Sequence, residues 1–193
     1  EQIVASVTGF SGRFGNFISQ EVIRGTGSVA DPIIYQYINL AKAKIEGVEG
    51  KLDLAAGNGL TGQLAISYAK GDSVRSGVST PLATIDPFKL VVGIGYRDRA
   101  DRFGGQLTLT HSAQKEESRA AVGSYRPDAF AILDLTGYAK VIDGLTLRAG
   151  IFNILDKKYA WWSDVRGLSA TSTVTDAYTQ PGRNVSVSLS YRF

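Results

Sequence analysis

The carboxy-terminal segment of the chain alternates strictly between apolar and polar residues. In QPGRNVSVSLSYRF, residues 180–193, every odd position from Val185 to Phe193 is apolar, whereas the even positions carry Asn, Ser and Arg. Because successive side chains of a β-strand point to opposite faces, this pattern predicts a strand with one apolar and one polar face. The apolar face needs either a protein core or lipid as its neighbour.

Five further segments have the same period of two, which predicts five more strands. Their polar faces carry mostly Gly, Ala, Ser, Thr and Gln, whereas a strand of a soluble sandwich shows long charged side chains to water. A wide barrel with water in its lumen fits this composition better than a soluble sandwich does. The segments are residues 60–70, 89–97, 104–114, 129–141 and 145–153.

A long strand is predicted near the amino terminus, in QIVASVTGFSGRFGNFI, residues 2–18. Its apolar residues change parity between Val7 and Phe10. One extra residue in a strand shifts the alternation in this way, so we expect a β-bulge at Gly9.

A second long strand is predicted in residues 33–55, and its lower half alternates cleanly. In its upper half Lys42 and Lys44 fall on the parity that is apolar below them. Two explanations are open: a bulge between Ile45 and Gly47, or emergence of the strand from a bilayer.

The connections between the predicted strands alternate in length. Short ones lie at 57–59, 98–101 and 142–144, and long ones at roughly 24–33, 75–86, 116–128 and 155–180. Outer-membrane barrels pair short periplasmic turns with long extracellular loops. The pattern therefore predicts an all-β, antiparallel, up-and-down meander of about eight strands that ends with Phe193 at the periplasmic rim.

Composition removes several classes of function. The net charge is only +3, from 21 basic and 18 acidic residues that are well mixed, so no basic surface for nucleic acid is expected. The chain has no Cys and one His, and it contains no phosphate-binding glycine motif and no metal-ligand spacing, so we expect neither an enzyme nor a metal site. No apolar run approaches the roughly 18 residues of a transmembrane helix.

Five stretches resemble, in order and spacing, the carboxy-terminal part of TonB-dependent outer-membrane receptors, and the resemblance extends from about Val7 to the end of the chain. Within them, TPLATIDPFK and FNILDKKYAWW are most similar to the haem and haemoglobin receptor branch. The stretches are NLAKAKIEGVEGKLDL, TPLATIDPFKLVVGIGY, YRPDAFAILDLTGYAKV, LTLRAGIFNILDKKYAWW and PGRNVSVSLSYRF.

The resemblance implies that residues 1–193 form the carboxy-terminal portion of a transmembrane barrel of about 22 strands. The plug domain, the TonB-contacting segment and the earlier strands would lie outside this chain. The implied function is active transport of haem, or of iron from a haem protein, energised through TonB. The implied location is the bacterial outer membrane.

The resemblance also implies a set of partners. They are outer-membrane lipid, the receptor's own plug and remaining strands, TonB, and haemoglobin or a haem-carrier protein. Haem would be the transported ligand and not a cofactor of this segment. Two alternatives remain open: a ferric-siderophore receptor of the same superfamily, or a complete small eight-stranded outer-membrane adhesin or structural barrel.

Ligand contacts are expected from aromatic and arginine side chains in the long loops. Aromatic rings stack on a porphyrin or anchor a protein partner, and Arg binds carboxylates such as haem propionates. The competing explanation is loop packing or solvated loop surface. The candidates are Tyr125, Arg126, Trp161, Trp162, Arg166 and Tyr178.

Two other groups of residues are given structural roles. His111, the only histidine, shares the apolar parity of Leu107 and Leu109 and is expected at the membrane interface. Asn153, Asp156 and Tyr159 are expected to turn a strand into its loop. The charged residues of the polar faces are expected to pair with one another or with the plug. The charges are Glu49, Asp53, Arg97, Asp134, Lys140, Arg148 and Arg192.

Overall fold

The computed structural model describes residues 1–75 and 77–193, which form one antiparallel sheet. The strands follow each other in chain order across the sheet, except that β4 is a short hairpin partner at the upper end of β3. The strands are β1 Gln2–Arg24, β2 Ile34–Ala55, β3 Leu60–Arg75, β4 Val78–Pro81, β5 Lys89–Arg97, β6 Phe103–Ser112, β7 Phe130–Ile142, β8 Leu145–Phe152 and β9 Asn184–Tyr191.

Helical structure in the described residues is confined to short turns. They are α1, Trp162–Val165, and two 3₁₀ turns, Glu117–Arg119 and Thr175–Tyr178. No helix in the described part of the chain is long and apolar enough to cross a membrane.

The eight-stranded antiparallel meander predicted from the sequence is confirmed, with β4 as an unpredicted addition inside a long connection. Within the described residues the sheet is open, because β1 pairs only with β2 and β9 only with β8. Both outer strands therefore present unpaired backbone N–H and C=O groups along one edge.

One face of the sheet carries a continuous row of apolar side chains, which we call the apolar band. The strand register places Val185 beside Ile151, Ile151 beside Leu135 and Leu135 beside Leu107. No described residue covers this face, and many of its large apolar side chains are exposed, among them Val7 at 80% and Val185 at 67%. An uncovered apolar surface of this extent is typical of contact with lipid or with another chain.

Aromatic side chains mark the end of the apolar band at the short turns. The rings of Tyr96 and Phe103 lie 6.0 Å apart, and those of Tyr191 and Phe193 lie 6.4 Å apart. Leu145, next to the turn between β7 and β8, pairs with Tyr191, so the chain ends at this rim as expected. Aromatic residues are enriched at this position in outer-membrane barrels.

The bulge expected at Gly9 is absent, and that prediction was wrong. The pairing of β1 with β2 runs without a shift from Gln2 opposite Ala55 to Gly15 opposite Lys42. The parity changes because Phe10 lies on the opposite face from Val7, across from Gly47. A Cβ on Gly47 would lie 2.6 Å from the Phe10 ring, so this glycine makes room for it.

The bulge between Ile45 and Gly47 is absent as well, which leaves the other explanation for Lys42 and Lys44. Pairing of β2 with β3 is uninterrupted from Lys42 opposite Val74 to Ala55 opposite Thr61. β1 and β2 have 23 and 22 residues, whereas a strand needs only about 9–11 to cross a bilayer. The upper parts of these strands therefore project beyond the apolar band.

A charged cluster lies at the lower rim, around the turn between β5 and β6. The Asp101 carboxylate accepts hydrogen bonds from Lys140 Nζ at 2.7 Å, from the Tyr138 hydroxyl and from Arg97 Nε at 2.8 Å. These donors, with Lys140 the strongest, lower the pKa of the Asp101 carboxyl well below its ordinary value. The cluster ties the turn between β5 and β6 to β7.

The predicted pairing of inward charges is confirmed for several of the residues involved. Lys51 Nζ lies 2.8 Å from Asp53 Oδ2, and Arg148 donates to Ser190 Oγ at 3.1 Å. Asp134 accepts the backbone N–H of Asn153 at 2.7 Å. Part of the charge on the polar face, including that of Asp53, Arg97 and Lys140, is thus paired within the wall itself.

Replacement of Gly47 by alanine is expected to destabilise the sheet by about 1–3 kcal/mol, as overpacking of a tight site does. Besides the Phe10 ring, the new methyl would meet the Tyr68 backbone oxygen at 2.5 Å. Gly9→Ala is the matched control, because nothing lies within 4 Å of a Cβ there. Urea unfolding of the full receptor in liposomes measures both, and equal stability of the two variants would contradict the packing.

The Asp101 cluster is expected to weaken in acid. Since the pKa of this carboxyl is lowered in the folded chain, its contribution is present above the unfolded value of about 4 and is lost as the pH falls below it. Asp101→Asn should therefore lower thermal stability at pH 7 and flatten the further loss of stability as the pH falls below about 4. Asp143→Asn, in the turn between β7 and β8, is the control and should follow the parent curve.

Candidate functional site

Four long connections fold together at the end of the sheet opposite the short turns. We call them the loop layer, and they comprise residues 25–33, 77–88, 113–129 and 153–183. The buried apolar clusters of the described residues lie within this layer or beside it, not beneath the apolar band. The layer is therefore held by a small core of its own.

The centre of the loop layer is Val165 with Leu168, whose side chains are 0 and 1% exposed. Ile33 from the first connection and Tyr125 from the third pack against them. The Tyr125 backbone N–H donates to the Leu168 carbonyl at 2.7 Å. Three of the four connections thus share one core.

Trp162 joins the second connection to the fourth. Its indole N–H donates to the Ala83 carbonyl at 2.7 Å, and its side chain is buried. Lys115 Nζ lies 5.6 Å from the Trp162 ring centroid and donates to the Ile85 carbonyl. Burial lowers the pKa of Lys115, with a smaller effect from Arg119. Sequence reasoning missed Lys115, because nothing in its local pattern distinguishes it from a solvated lysine.

Both candidate arginines hold loop segments in place. Arg126 donates through its guanidinium to the Lys115 carbonyl at 3.0 Å and to Glu117 Oε2 at 3.1 Å. Arg166 donates to Gln20 Oε1 at 2.9 Å, and its carbonyl accepts the Tyr35 hydroxyl. Arg166 therefore fastens the fourth connection to the projecting parts of β1 and β2.

Trp161 belongs to a separate aromatic group on the polar face. Its ring meets Phe130 edge-on with the centroids 4.9 Å apart, and Tyr159 at 5.8 Å. Lys89 Nζ lies 4.5 Å from the Trp161 ring centroid. A second cation would compete with Lys89 for this ring, whereas a flat apolar ligand could use the half-exposed edge.

Tyr178 is the only exposed residue among the six candidates. It ends the 3₁₀ turn Thr175–Tyr178, in which Asp176 is held by Lys158 Nζ at 2.7 Å. The structure thus brings Tyr125, Trp162 and Arg166 into one packed unit and leaves Tyr178 exposed at the surface.

The base of the fourth connection is closed by Asn153 and Asp156, both with positive φ. Asn153 is buried; its side chain donates to the Pro181 carbonyl and accepts the Lys157 N–H at 2.9 Å. Asp156 accepts the Arg183 N–H at 2.7 Å. These bonds join the two ends of the connection, in agreement with the structural role predicted for this block.

His111 lies on the face of the apolar band, between Leu90 and Ala131. Its Nδ1 is 2.9 Å from the Phe130 carbonyl oxygen, so Nδ1 carries the proton. In the described part of the chain, no group of three or more His, Cys, Asp or Glu side chains is placed to hold a metal ion.

Trp162→Phe is expected to loosen the loop layer, because it leaves the Ala83 carbonyl unpaired in a part-buried site at a cost of about 1 kcal/mol. Limited proteolysis of the full receptor should cleave this variant in the loops several-fold faster than the parent. Tyr178→Phe, which changes an exposed ring, is the control. An unchanged cleavage rate for Trp162→Phe would show that this bond does not hold the layer.

Comparison with known proteins gives a consistent result. The sequence model of the family described as TonB dependent receptor-like, beta-barrel matches residues 1–154. The hemoglobin and hemoglobin-haptoglobin-binding protein of Haemophilus ducreyi is 27% identical over 86% of this chain and 21% of its own length. Hemoglobin-haptoglobin-binding protein A of Haemophilus influenzae is 30% identical over 82% of this chain and 18% of its own length.

Solved structures share the fold. The copper transporter OprC superimposes with a TM-score of 0.79 at 21% identity, over all of this chain and 29% of its own. The ferric enterobactin receptor of Pseudomonas aeruginosa superimposes with a TM-score of 0.66 at 25% identity, over 99 and 29% of the two chains. The chain spans about a fifth of the curated relatives that it matches.

Lipid is therefore the neighbour of the apolar band, and the short turns lie on the periplasmic side. The similarity to relatives named for binding haemoglobin agrees with the resemblance to the haem and haemoglobin receptor branch that TPLATIDPFK and FNILDKKYAWW carry. From the match over residues 1–154 together with the shared fold, the chain belongs to the TonB-dependent receptor β-barrel family, whose members are receptors and transporters of the bacterial outer membrane rather than enzymes.

Proposed function

We propose that this chain forms the barrel wall and extracellular loop layer of a receptor that takes up haem, or iron from a haem protein, with energy delivered through TonB. The observation that carries the proposal is the identity of 27 and 30%, over more than four fifths of the chain, to proteins named for binding haemoglobin and haemoglobin–haptoglobin.

The open edges of the sheet support a place in a larger barrel. Unpaired backbone groups within hydrocarbon cost several kcal/mol each, so β1 and β9 need strands of the same receptor beside them. A complete eight-stranded barrel would pair β1 with β9, and the described residues show no such pairing. We therefore propose a barrel of about 22 strands with a plug domain and further strands supplied by the rest of the receptor.

The packing of the loop layer is an argument for a macromolecular ligand. A surface that is held by its own core and cross-linking hydrogen bonds loses little entropy when a protein docks on it. Within it we assign ligand contact to Tyr178 and Trp161, which are exposed and half-exposed, respectively. Trp162, Arg126 and Arg166 would act by holding the loops, together with Tyr125.

A ferric siderophore is the second candidate ligand. The observation in its favour is the shared fold with the ferric enterobactin receptor and with the pyoverdine receptor FpvA of Pseudomonas aeruginosa, at TM-scores of 0.66 and 0.67. These receptors share the fold of this chain and are named for enterobactin and pyoverdine, not for haemoglobin.

Growth on defined iron sources distinguishes the candidates. The full receptor is expressed in a strain that lacks its own haem and siderophore receptors. We expect growth on haem and on haemoglobin as sole iron source, and loss of that growth when tonB is deleted. Growth on ferric enterobactin or pyoverdine but not on haem would contradict the proposal.

Tyr178→Ala is expected to weaken haemoglobin binding to whole cells about tenfold or more, as removal of an aromatic contact at an interface centre does. Arg99→Ala, at an exposed position in a short turn of the opposite rim, is the control and should bind as the parent does. Equal binding by both variants would remove Tyr178 from the contact surface.

A further inference from the structure

A cluster of positive side chains lies on the lipid-facing side of β1–β3, directly above the apolar band. We call Arg13, Lys42, Lys44 and Lys70 the cationic patch. Lys42 and Lys44 continue the face of Val48 without a bulge, and the register places Arg13 opposite Lys44. We propose that the cationic patch binds the phosphate headgroup of an anionic lipid of the surrounding outer leaflet.

The cationic patch lies at the level of the lipid headgroups, just above the top of the apolar band. At about 3.3 Å per residue, Lys70 lies roughly 7 Å along its strand above the last ring of the band, and Lys42 roughly 20 Å above Val48. Strand tilt shortens both distances along the membrane normal. The positive side chains therefore begin where the hydrocarbon ends and extend outward from it.

The charges of the patch are only partly balanced by the protein. Glu46 is shared between two ammonium groups, with Lys44 Nζ at 2.5 Å and Lys70 Nζ at 3.2 Å. A second acid beside the patch, Asp72, pairs with a loop arginine, Arg119, at 3.2 Å. Positive charge thus exceeds negative charge on this face.

Arg13 and Lys42 account for the excess. Neither forms an ion pair with a carboxylate within residues 1–75 and 77–193, and both are exposed. Arg13 also lies directly opposite Lys44 in the strand pair. Like charges in directly opposite positions destabilise a sheet. An anion bound between them would turn this repulsion into attraction.

The shape of the surface supports one occupant. Arg13, Lys42 and Lys44 line a single groove of about 600 Å³ together with Asp72 and Gly15, and the Asp72 carboxylate in it is paired with Arg119. Gly15, opposite Lys42, presents no side chain there, so the groove stays open between the cations.

Phosphate is the matching group, because Arg binds it through a planar fork and Lys through a compact charge. A free phosphate ion would gain nothing from the apolar band below. A phosphorylated lipid uses both surfaces, with its acyl chains on the band and its headgroup on the patch. Basic residues next to a bilayer act on anionic lipid in this way.

The test measures lipid retained by the purified full receptor in nanodiscs that contain bisphosphorylated lipid A or the same lipid without its phosphates. The parent should enrich the phosphorylated form. Arg13→Gln with Lys42→Gln should reduce that enrichment by about tenfold or more, because two charges near the surface are lost. Arg13→Lys with Lys42→Arg, which keeps the charges, should retain most of it.

Lys51→Gln is the matched control, because Lys51 lies on the polar face and pairs with Asp53, and its enrichment should equal that of the parent. The proposal is overturned if the double Gln variant and the parent enrich the phosphorylated lipid equally. It is also overturned if the parent retains the dephosphorylated lipid as well as it retains the phosphorylated one. Complete competition by millimolar inorganic phosphate would assign the groove to a free ion and overturn the lipid. Should the double variant not fold, as judged by heat-modifiable migration, Lys42→Gln alone is measured by the same criteria.

Discussion

Within the described residues, the apolar side chains along one face of this sheet have no second protein layer against them, and the rest of the structure follows from that constraint. A face covered by hydrocarbon leaves the opposite face to water, which explains its Gly, Ser, Thr and Gln residues. It also requires every backbone group in the hydrocarbon to be paired. β1 and β2 accordingly pair without a shift from Gln2 opposite Ala55 to Gly15 opposite Lys42, and the two open edges call for further strands. The small buried clusters lie in the loop layer because the wall itself provides no protein interior.

The two ends of the wall are stabilised in different ways. At the lower rim, the turn between β5 and β6 is held by local charge pairs such as those around Asp101. At the upper end, long connections bind one another across the chain, as Trp162 does with Ala83 and Arg166 with Gln20. A loop layer with a core of its own suits the proposed binding of a macromolecular ligand, and the charged outer face of β1–β3 is the proposed contact with lipid headgroups.

Much of the wall could be predicted because strand periodicity is a local signal. The alternation from Val185 to Phe193 and the short turns were enough to give the strand order and the lipid-facing rows. The expected bulge at Gly9 was wrong, because the partner that accommodates Phe10, Gly47, is remote in sequence and its role depends on register. The packing of the loop layer could not be predicted for the same reason, because its contacts join residues that are remote in sequence, such as Gln20 and Arg166.

The central claim is that hydrocarbon is the neighbour of the apolar band and water that of the opposite face. Single cysteines introduced in the full receptor at positions 186 to 189, followed by nitroxide labelling, test it most directly. Labels at 187 and 189 should be relaxed by oxygen dissolved in the membrane, and those at 186 and 188 by a water-soluble nickel chelate. The same accessibility at all four positions, or protection of 187 and 189 from both reagents, would contradict the account.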